Sequence, residues 1–370
     1  MIAYGKQWIT PQDIKAVDRI LRSGWVTQGP AILAFEKKLA KYCGAKYVVA
    51  VNNGTSALHL AYLASGIEPG DEVITTPNSF VATSNMLLAI GAKPVFADIR
   101  LDTYNIDETK IEKLITQKTR AIVPIDFAGQ PSAMAEIKKI ASKHKLLIID
   151  DGAHALGAKY NGKKVGGLAD LTTFSFHPVK PITTGEGGAV ATNNKKYYDK
   201  LLLLRSQGVQ KDKAGKNVMT VLGYNYRMTD FQAALGSSQL QRLNFFLKKR
   251  HQVAAWYKRE LKDLKDIILP QEIKGNYSGW HIYVVRVTNP RRRNKLMKYL
   301  KQQGIGVNFH FPPIYKQPYY RQHGFSKTSL KNAELYEATA LTLPLHPQLT
   351  KKEVNYIVGR IKRFYNKYEI

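Results

Sequence analysis

Seven short apolar runs, at 47–51, 72–75, 94–97, 121–125, 146–149, 172–176 and 189–192, punctuate this 370-residue chain, with amphipathic helical patterns such as 132–143 between most of them. Strands of four or five residues separated by helical crossovers cannot pair as hairpins. They build one large, mostly parallel sheet in an α/β layer architecture. Ahead of them, Thr10-Pro11 opens a helix with Ile14, Val17 and Leu21 as its apolar positions and Gly24 as its stop. Around Phe245 the pattern changes. A long amphipathic segment runs to about Leu264 and gives way to the loop-like LPQEIKGNYSG. A strand (281–287), a helix (292–303), a strand (306–310) and a closing helix from about Lys351 follow. This is the pattern of a smaller α+β unit. The expected division is a large domain over 10–245 and a small C-terminal domain over 246–370, with residues 1–9 packed on the latter.

A chain of this length with 44% hydrophobic residues can bury a sizeable core, and 23% charged with 10% aromatic residues argues against disorder. No stretch approaches the ~18 consecutive apolar residues of a membrane span, and the opening MIAYGKQWIT has no apolar run of the signal-peptide kind. A cytoplasmic protein without a membrane partner is the expectation. One cysteine, Cys43, leaves no disulfide framework within the chain and no cysteine-rich metal site, and no metal is expected.

The net charge of +28 is unevenly spread, +3 over 1–100, +11 over 101–250 and +14 over 251–370. A nucleic-acid surface calls for dense basic runs with interleaved aromatics. The densest run here, Arg291, Arg292 and Arg293 followed by Lys295, Lys298 and Lys301, reads instead as the solvated face of a basic helix. Nucleic acid is therefore not an expected partner, although the charge can raise the encounter rate of an anionic small molecule.

In open α/β sheets the chemistry gathers beyond the carboxyl ends of the strands, and four segments place polar or glycine-rich residues there. The first is Asn52-Asn53-Gly54-Thr55-Ser56, leaving a strand and entering a helix. Its glycine and hydroxyls beside free helix amides suit a phosphate, though they equally suit an ordinary helix cap. The second is Asp150-Asp151-Gly152-Ala153-His154 at the end of an apolar strand. Side chains alternate along a strand, so one aspartate need face the site, where a carboxylate can hold a pyridinium nitrogen protonated. In the third, Ser175 and Lys180 precede a turn containing Gly185, Gly187 and Gly188. A lysine held between an apolar strand and a tight turn can be desolvated and made nucleophilic. The fourth is Asn225-Tyr226-Arg227-Met228-Thr229-Asp230, whose Thr229 or Asp230 can cap the helix that follows.

With these segments in order, FSFHPVKPITTGEGGAV above all, the chain resembles the DegT/DnrJ/EryC1/StrS family of pyridoxal-phosphate-dependent sugar aminotransferases. The resemblance runs from SGWVTQGP to HFPPIY and LPLHPQLT. It implies an aspartate-aminotransferase-like fold (fold type I), pyridoxal 5'-phosphate as cofactor, L-glutamate and a nucleotide-linked keto sugar as substrates, and a homodimer with shared active sites. HPVKPITTGEGG, PNSFVATSNMLL and HIYVVRV most resemble the branch serving pseudaminic acid biosynthesis. That branch aminates C4 of a UDP-linked 4-keto-6-deoxy-N-acetyl-hexosamine.

Carried over by motif, Lys180 matches the lysine that holds the cofactor covalently and then acts as general acid and base. Asp151 matches the carboxylate on the ring nitrogen, His154 the contact to the ring hydroxyl, and Phe80 the aromatic on the ring face. Thr55, Ser56 and Ser175 match the phosphate contacts, and Asn225 the asparagine that reaches the partner subunit's phosphate. Arg227, His310 and Tyr315 are the expected substrate-side residues. One departure is Gln207 in Arg205-Ser206-Gln207-Gly208, where the family commonly has histidine. Relatives that dehydrate sugars replace the lysine with histidine, and Lys180 argues against that chemistry. Another nucleotide-linked keto sugar, or a C3 amination, stays open, because pocket residues outside the motifs decide it. A basic nucleic-acid-binding or regulatory protein on a retired enzyme fold would have lost Lys180, Asp151 or the glycine-rich turn. All three are present.

Overall fold

The computed structural model describes residues 1–367. Seven strands form one sheet in the spatial order Tyr47–Val51, Gly188–Thr192, Leu171–Ser175, Leu147–Asp151, Thr119–Val123, Glu72–Thr75 and Lys93–Phe96. Gly188–Thr192 runs antiparallel to both neighbours, and every other adjacent pair is parallel. All seven expected strands are present, shifted by no more than two residues at either end. Alternation along each strand feeds two cores: Val48 and Ala50 join Ile74, Ile122 and Ile148 on one face, while Val49 and Val51 join Val73, Ala121, Val123 and Ile149 on the other. A sheet covered on both faces explains why its strands read as unbroken apolar runs.

The helix opened at Thr10 spans Pro11–Leu21, and Thr10 and Asp13 close a capping box at its start. Asp13 is buried and also takes hydrogen bonds from Ser238 Oγ, Gln239 and Arg242, so the cap doubles as the clamp between this helix and Asp230–Gln241. Thr229 caps that second helix. Asp230 instead accepts the Gly29 and Ala31 amides at 2.7 and 2.9 Å, holding the start of Pro30–Cys43.

The smaller unit is built around a three-stranded sheet, Ile267–Ile268, Tyr283–Val287 and Ala340–Leu343, with helices Pro290–Gln302 and Lys351–Lys367. The strand expected at 306–310 does not form. Ile305 and Val307 are buried as the alternation implied, but the segment makes only single bridges, Ile2 to Ile305 and Asn308 to Thr342. The sheet position belongs to Ala340–Leu343, which leaves 308–311 free to turn toward the large sheet. The arginine run also departs from a purely solvated face: Arg293 lies 4.8 Å over the Phe309 ring and donates to Glu337 O, and Arg292 pairs with Asp266.

The boundary expected at 245/246 falls inside one helix, Leu243–Leu261. Its Leu243, Phe246 and Leu247 belong to the core of the large sheet, and Val253, Ala254, Tyr257 and Leu261 to the core of the smaller unit. We propose two domains that share this helix. Ile2 and Tyr4 hydrogen-bond to the second unit while Trp8 packs on Phe245 and Phe246, so residues 1–9 touch both. Residues 368–370 of the expected second domain lie outside the described residues. No described helix is long and apolar enough to cross a membrane.

Candidate active site

Val51, Asp151 and Ser175 end three strands of the large sheet, and the chain beyond each of them borders one cavity of about 610 Å³. At one end, helix Gly54–Ser65 points its first turn inward. Gly54 makes this corner possible: a Cβ there would come 2.9 Å from Ser175 Cβ, so only glycine lets the serine lie against the helix start. Gly188 acts likewise on the neighbouring strand, where a Cβ would sit 2.4 Å from Asn53 O. Thr55 and Ser175 border the cavity at the start of this helix, where the dipole and the first-turn N–H groups favour an anion.

Asp151 faces the cavity and is 4% exposed. Burial raises its pKa, opposed by hydrogen bonds from Thr83 Oγ1 at 2.7 Å and the Ala153 amide at 3.2 Å and by the charge of Lys180. Asp150 points to the other side of its strand. It is fully buried, and neither carboxyl oxygen has a hydrogen-bond partner among the described residues. Burial first, then the Asp126 and Asp151 carboxylates, drive its pKa well up. The structure therefore separates the two aspartates that alternation alone left open.

Lys180 lies on the cavity wall, five residues past the end of its strand. Desolvation pushes its pKa down to about 8, and Asp151 offsets only part of that. Besides the exposed His177, three imidazoles share the space. The His154 and His281 rings meet at a tilt of 45° with centroids 4.4 Å apart, and His310 sits against Tyr4 and Phe311. Burial is the leading cause that lowers all three pKa values, that of His310 to about 4. They are neutral near pH 7 and supply hydrogen-bonding edges rather than charge. At the mouth, Phe80 is 58% exposed and meets Phe311 edge-on at 6.0 Å.

Of the residues named from the sequence, Thr55, Phe80, Asp151, His154, Ser175, Lys180 and His310 border this cavity; Ser56, Asn225, Arg227 and Tyr315 do not. The Ser56 amide is taken by the Asn53 cap at 2.8 Å and its side chain is buried. Tyr315 requires a correction. It is 2% exposed, packed with Phe96, Tyr320 and Phe325, and its hydroxyl is satisfied by Glu334 and the Leu330 amide. It is a core residue, one aromatic cluster removed from the cavity. Arg227 sits on a backbone bridge to Val51, and Asn225 is exposed on a bridge to Ser206. Gln207 is exposed beside them, its amide donating to Tyr224 O.

Sequence reasoning missed Thr83, His281, Asn308 and Glu186, which also border the cavity. His281 opens the quoted HIYVVRV, and Thr83 lies in PNSFVATSNMLL; their presence in those motifs was the available signal. A cavity with an anion corner, a buried carboxylate, a depressed-pKa amine on its wall and an aromatic ring at its mouth fits pyridoxal phosphate group by group.

The DegT/DnrJ/EryC1/StrS aminotransferase family model matches residues 7–362. A Campylobacter jejuni protein named UDP-4-amino-4,6-dideoxy-N-acetyl-beta-L-altrosamine transaminase is 40% identical over 362 residues, 96% of each chain. GDP-perosamine synthase of Caulobacter vibrioides is 39% identical over 342 residues, 91% of each chain. Among solved structures, Helicobacter pylori PseC, described as an aminotransferase involved in the biosynthesis of pseudoaminic acid, superposes with a TM-score of 0.96 at 37% identity, covering 99% of this chain and 100% of that one. The chain belongs to the DegT/DnrJ/EryC1/StrS aminotransferase family and is a pyridoxal-phosphate-dependent sugar aminotransferase.

Proposed function

We propose that this enzyme moves an amino group from L-glutamate to C4 of a UDP-linked 4-keto-6-deoxy-N-acetyl-hexosamine, giving the 4-amino sugar used for pseudaminic acid. The observation that carries this choice of sugar is the near full-length likeness to the Campylobacter transaminase. Pyridoxal phosphate, when bound, supplies an electron sink that stabilises negative charge at the carbon losing its proton. The chain's residues do the rest. Lys180 Nζ holds the cofactor while it is covalently attached, and once freed it carries the proton between the two carbons that exchange it. Asp151 keeps the ring nitrogen protonated. Thr55, Ser175 and the helix amides bind the phosphate, His154 meets the ring hydroxyl, and Phe80 covers one face of the ring. His310, which also borders the cavity, is the residue we assign to the sugar side.

The Lys180 shift has a direct consequence. Only the neutral amine attacks an aldehyde, and with a pKa of about 8 rather than 10.5 roughly a tenth of it is neutral at pH 7. Capture of pyridoxal phosphate by the cofactor-free protein is therefore expected to accelerate about tenfold per pH unit below 8 and to level off above. Stopped-flow absorbance in the visible reads this directly. A rate still climbing through pH 10 would mean an ordinary solvated lysine.

The likeness to GDP-perosamine synthase supports a second reading, in which the acceptor is another nucleotide-linked keto sugar. The two separate in one experiment. Enzyme first converted by L-glutamate to its amino form is offered UDP-, dTDP- and GDP-linked 4-keto-6-deoxy sugars, and return of the visible band is timed. The UDP-linked N-acetyl sugar is expected to restore the band at least tenfold faster than the others. Faster return with the GDP-linked sugar would overturn the first reading in favour of the second.

A further inference from the structure

Thr83 Oγ1 has one proton and three neighbours: Asp151 Oδ2 at 2.7 Å, Ser79 Oγ at 3.1 Å and Phe80 O at 3.5 Å. The carboxylate oxygen is the nearest, so the threonine donates to it and receives the proton of Ser79. Thr83 is 1% exposed and Asp151 4%, which leaves little water to compete. The Thr83 carbonyl is anchored by the hydroxyl of fully buried Tyr62 at 3.0 Å, fixing the backbone from which the hydroxyl projects. One five-residue segment thus bears both the ring at the cavity mouth, Phe80, and the donor that grips the carboxylate on the floor.

We propose that Thr83 is a positioning residue whose hydroxyl, through a charge-assisted hydrogen bond, holds the Asp151 carboxylate in the orientation that meets the cofactor's ring nitrogen. The inference rests on the reading of Asp151 given above. Burial works to neutralise this carboxylate, and a neutral acid cannot keep the ring nitrogen protonated. A donor to the charged form opposes that. Among the described residues the remaining oxygen accepts only the longer Ala153 bond, so Thr83 supplies the stronger of the two restraints.

The test is the affinity of the cofactor-free protein for pyridoxal phosphate, by equilibrium dialysis with absorbance readout. Thr83→Val keeps the shape and removes the donor; it is expected to bind about ten- to a hundredfold more weakly, while Thr83→Ser stays within about threefold of the parent. Thr83→Ala is read in the same way should the valine variant not fold. Parent-like binding by the valine variant, or an equal loss in the serine variant, overturns the proposal, the latter because only methyl packing would then matter. In an Asp151→Asn background, adding Thr83→Val should change affinity less than about twofold, since the hydroxyl has lost the group it acts through; a repeat of the full loss there also overturns it. Asp151→Asn measured alone separates the layers. Parent-like affinity there removes the reading beneath, whereas a weakened Asp151→Asn beside an unaffected Thr83→Val removes this inference only.

Discussion

Replacing Lys180 with alanine is expected to reduce turnover by roughly a thousandfold or more, because the same amine holds the cofactor and moves the proton. The visible band of the attached cofactor should disappear. Pyridoxal phosphate would still bind at the corner formed by Thr55, Ser175 and the start of Gly54–Ser65, but it would leave on dialysis. Folding should be preserved, since burying a lysine that prefers to shed its charge gains the native state little. Normal turnover in this variant would remove the mechanism. The same variant tests the proposed homodimer. Asn225 is exposed and lies outside the cavity of its own chain, as a residue completing a partner's phosphate site would. Lys180→Ala mixed with Asn225→Ala under subunit exchange then yields mixed dimers in which one site receives both intact residues. About a quarter of the parent activity should return. If subunits exchange and nothing returns, Asn225 does not act across an interface.

What could be read from the sequence follows from how each residue is used. The strands of the large sheet are buried on both faces, so their apolar runs are unmistakable, and Asp151, Ser175 and Lys180 stand out as polar residues at the ends of such runs. Ala340–Leu343 is as apolar, but it passes directly into LPLHPQLT and carries no turn signal of its own. Residues 305–310 alternate like a strand because Ile305 and Val307 pack inward, yet hydrogen-bond pairing depends on a neighbour that sequence does not reveal. The two small hairpins, Lys159–Tyr160 with Lys163–Lys164 and Val209–Lys211 with Asn217–Met219, are polar and lysine-rich and have no hydrophobic period to detect. The site shows the same division. Thr83 sits in a helix whose neighbours are mostly apolar, and His281 lies two residues before the buried strand Tyr283–Val287. Nothing in their local pattern distinguishes a residue facing a cavity from one facing a core. Tyr315 fails for the converse reason: it adjoins the quoted HFPPIY, and adjacency to a motif does not carry its side chain to the cavity.

Asp151→Asn is expected to fold normally and to lose about a hundred- to a thousandfold in kcat, with the KM for the keto sugar within about threefold of the parent. The amide is nearly the size of the carboxylate, and at a position where burial already disfavours charge its stability cost is small. What it cannot do is remain an anion opposite a ring nitrogen, so the charge that keeps that nitrogen protonated is lost. The control is the adjacent residue. Asp150 is enclosed, has no hydrogen-bond partner among the described residues, and burial with the carboxylates of Asp126 and Asp151 pushes its pKa up. Asp150→Asn therefore changes a group that does not border the cavity, at a position where burial disfavours charge, and should leave kcat within a few fold. Steady-state kinetics and circular dichroism on the two variants decide the assignment together. Should Asp150→Asn lose the activity while Asp151→Asn keeps it, the strand presents its other face to the cofactor, and the Thr83 hydroxyl has been credited to the wrong carboxylate.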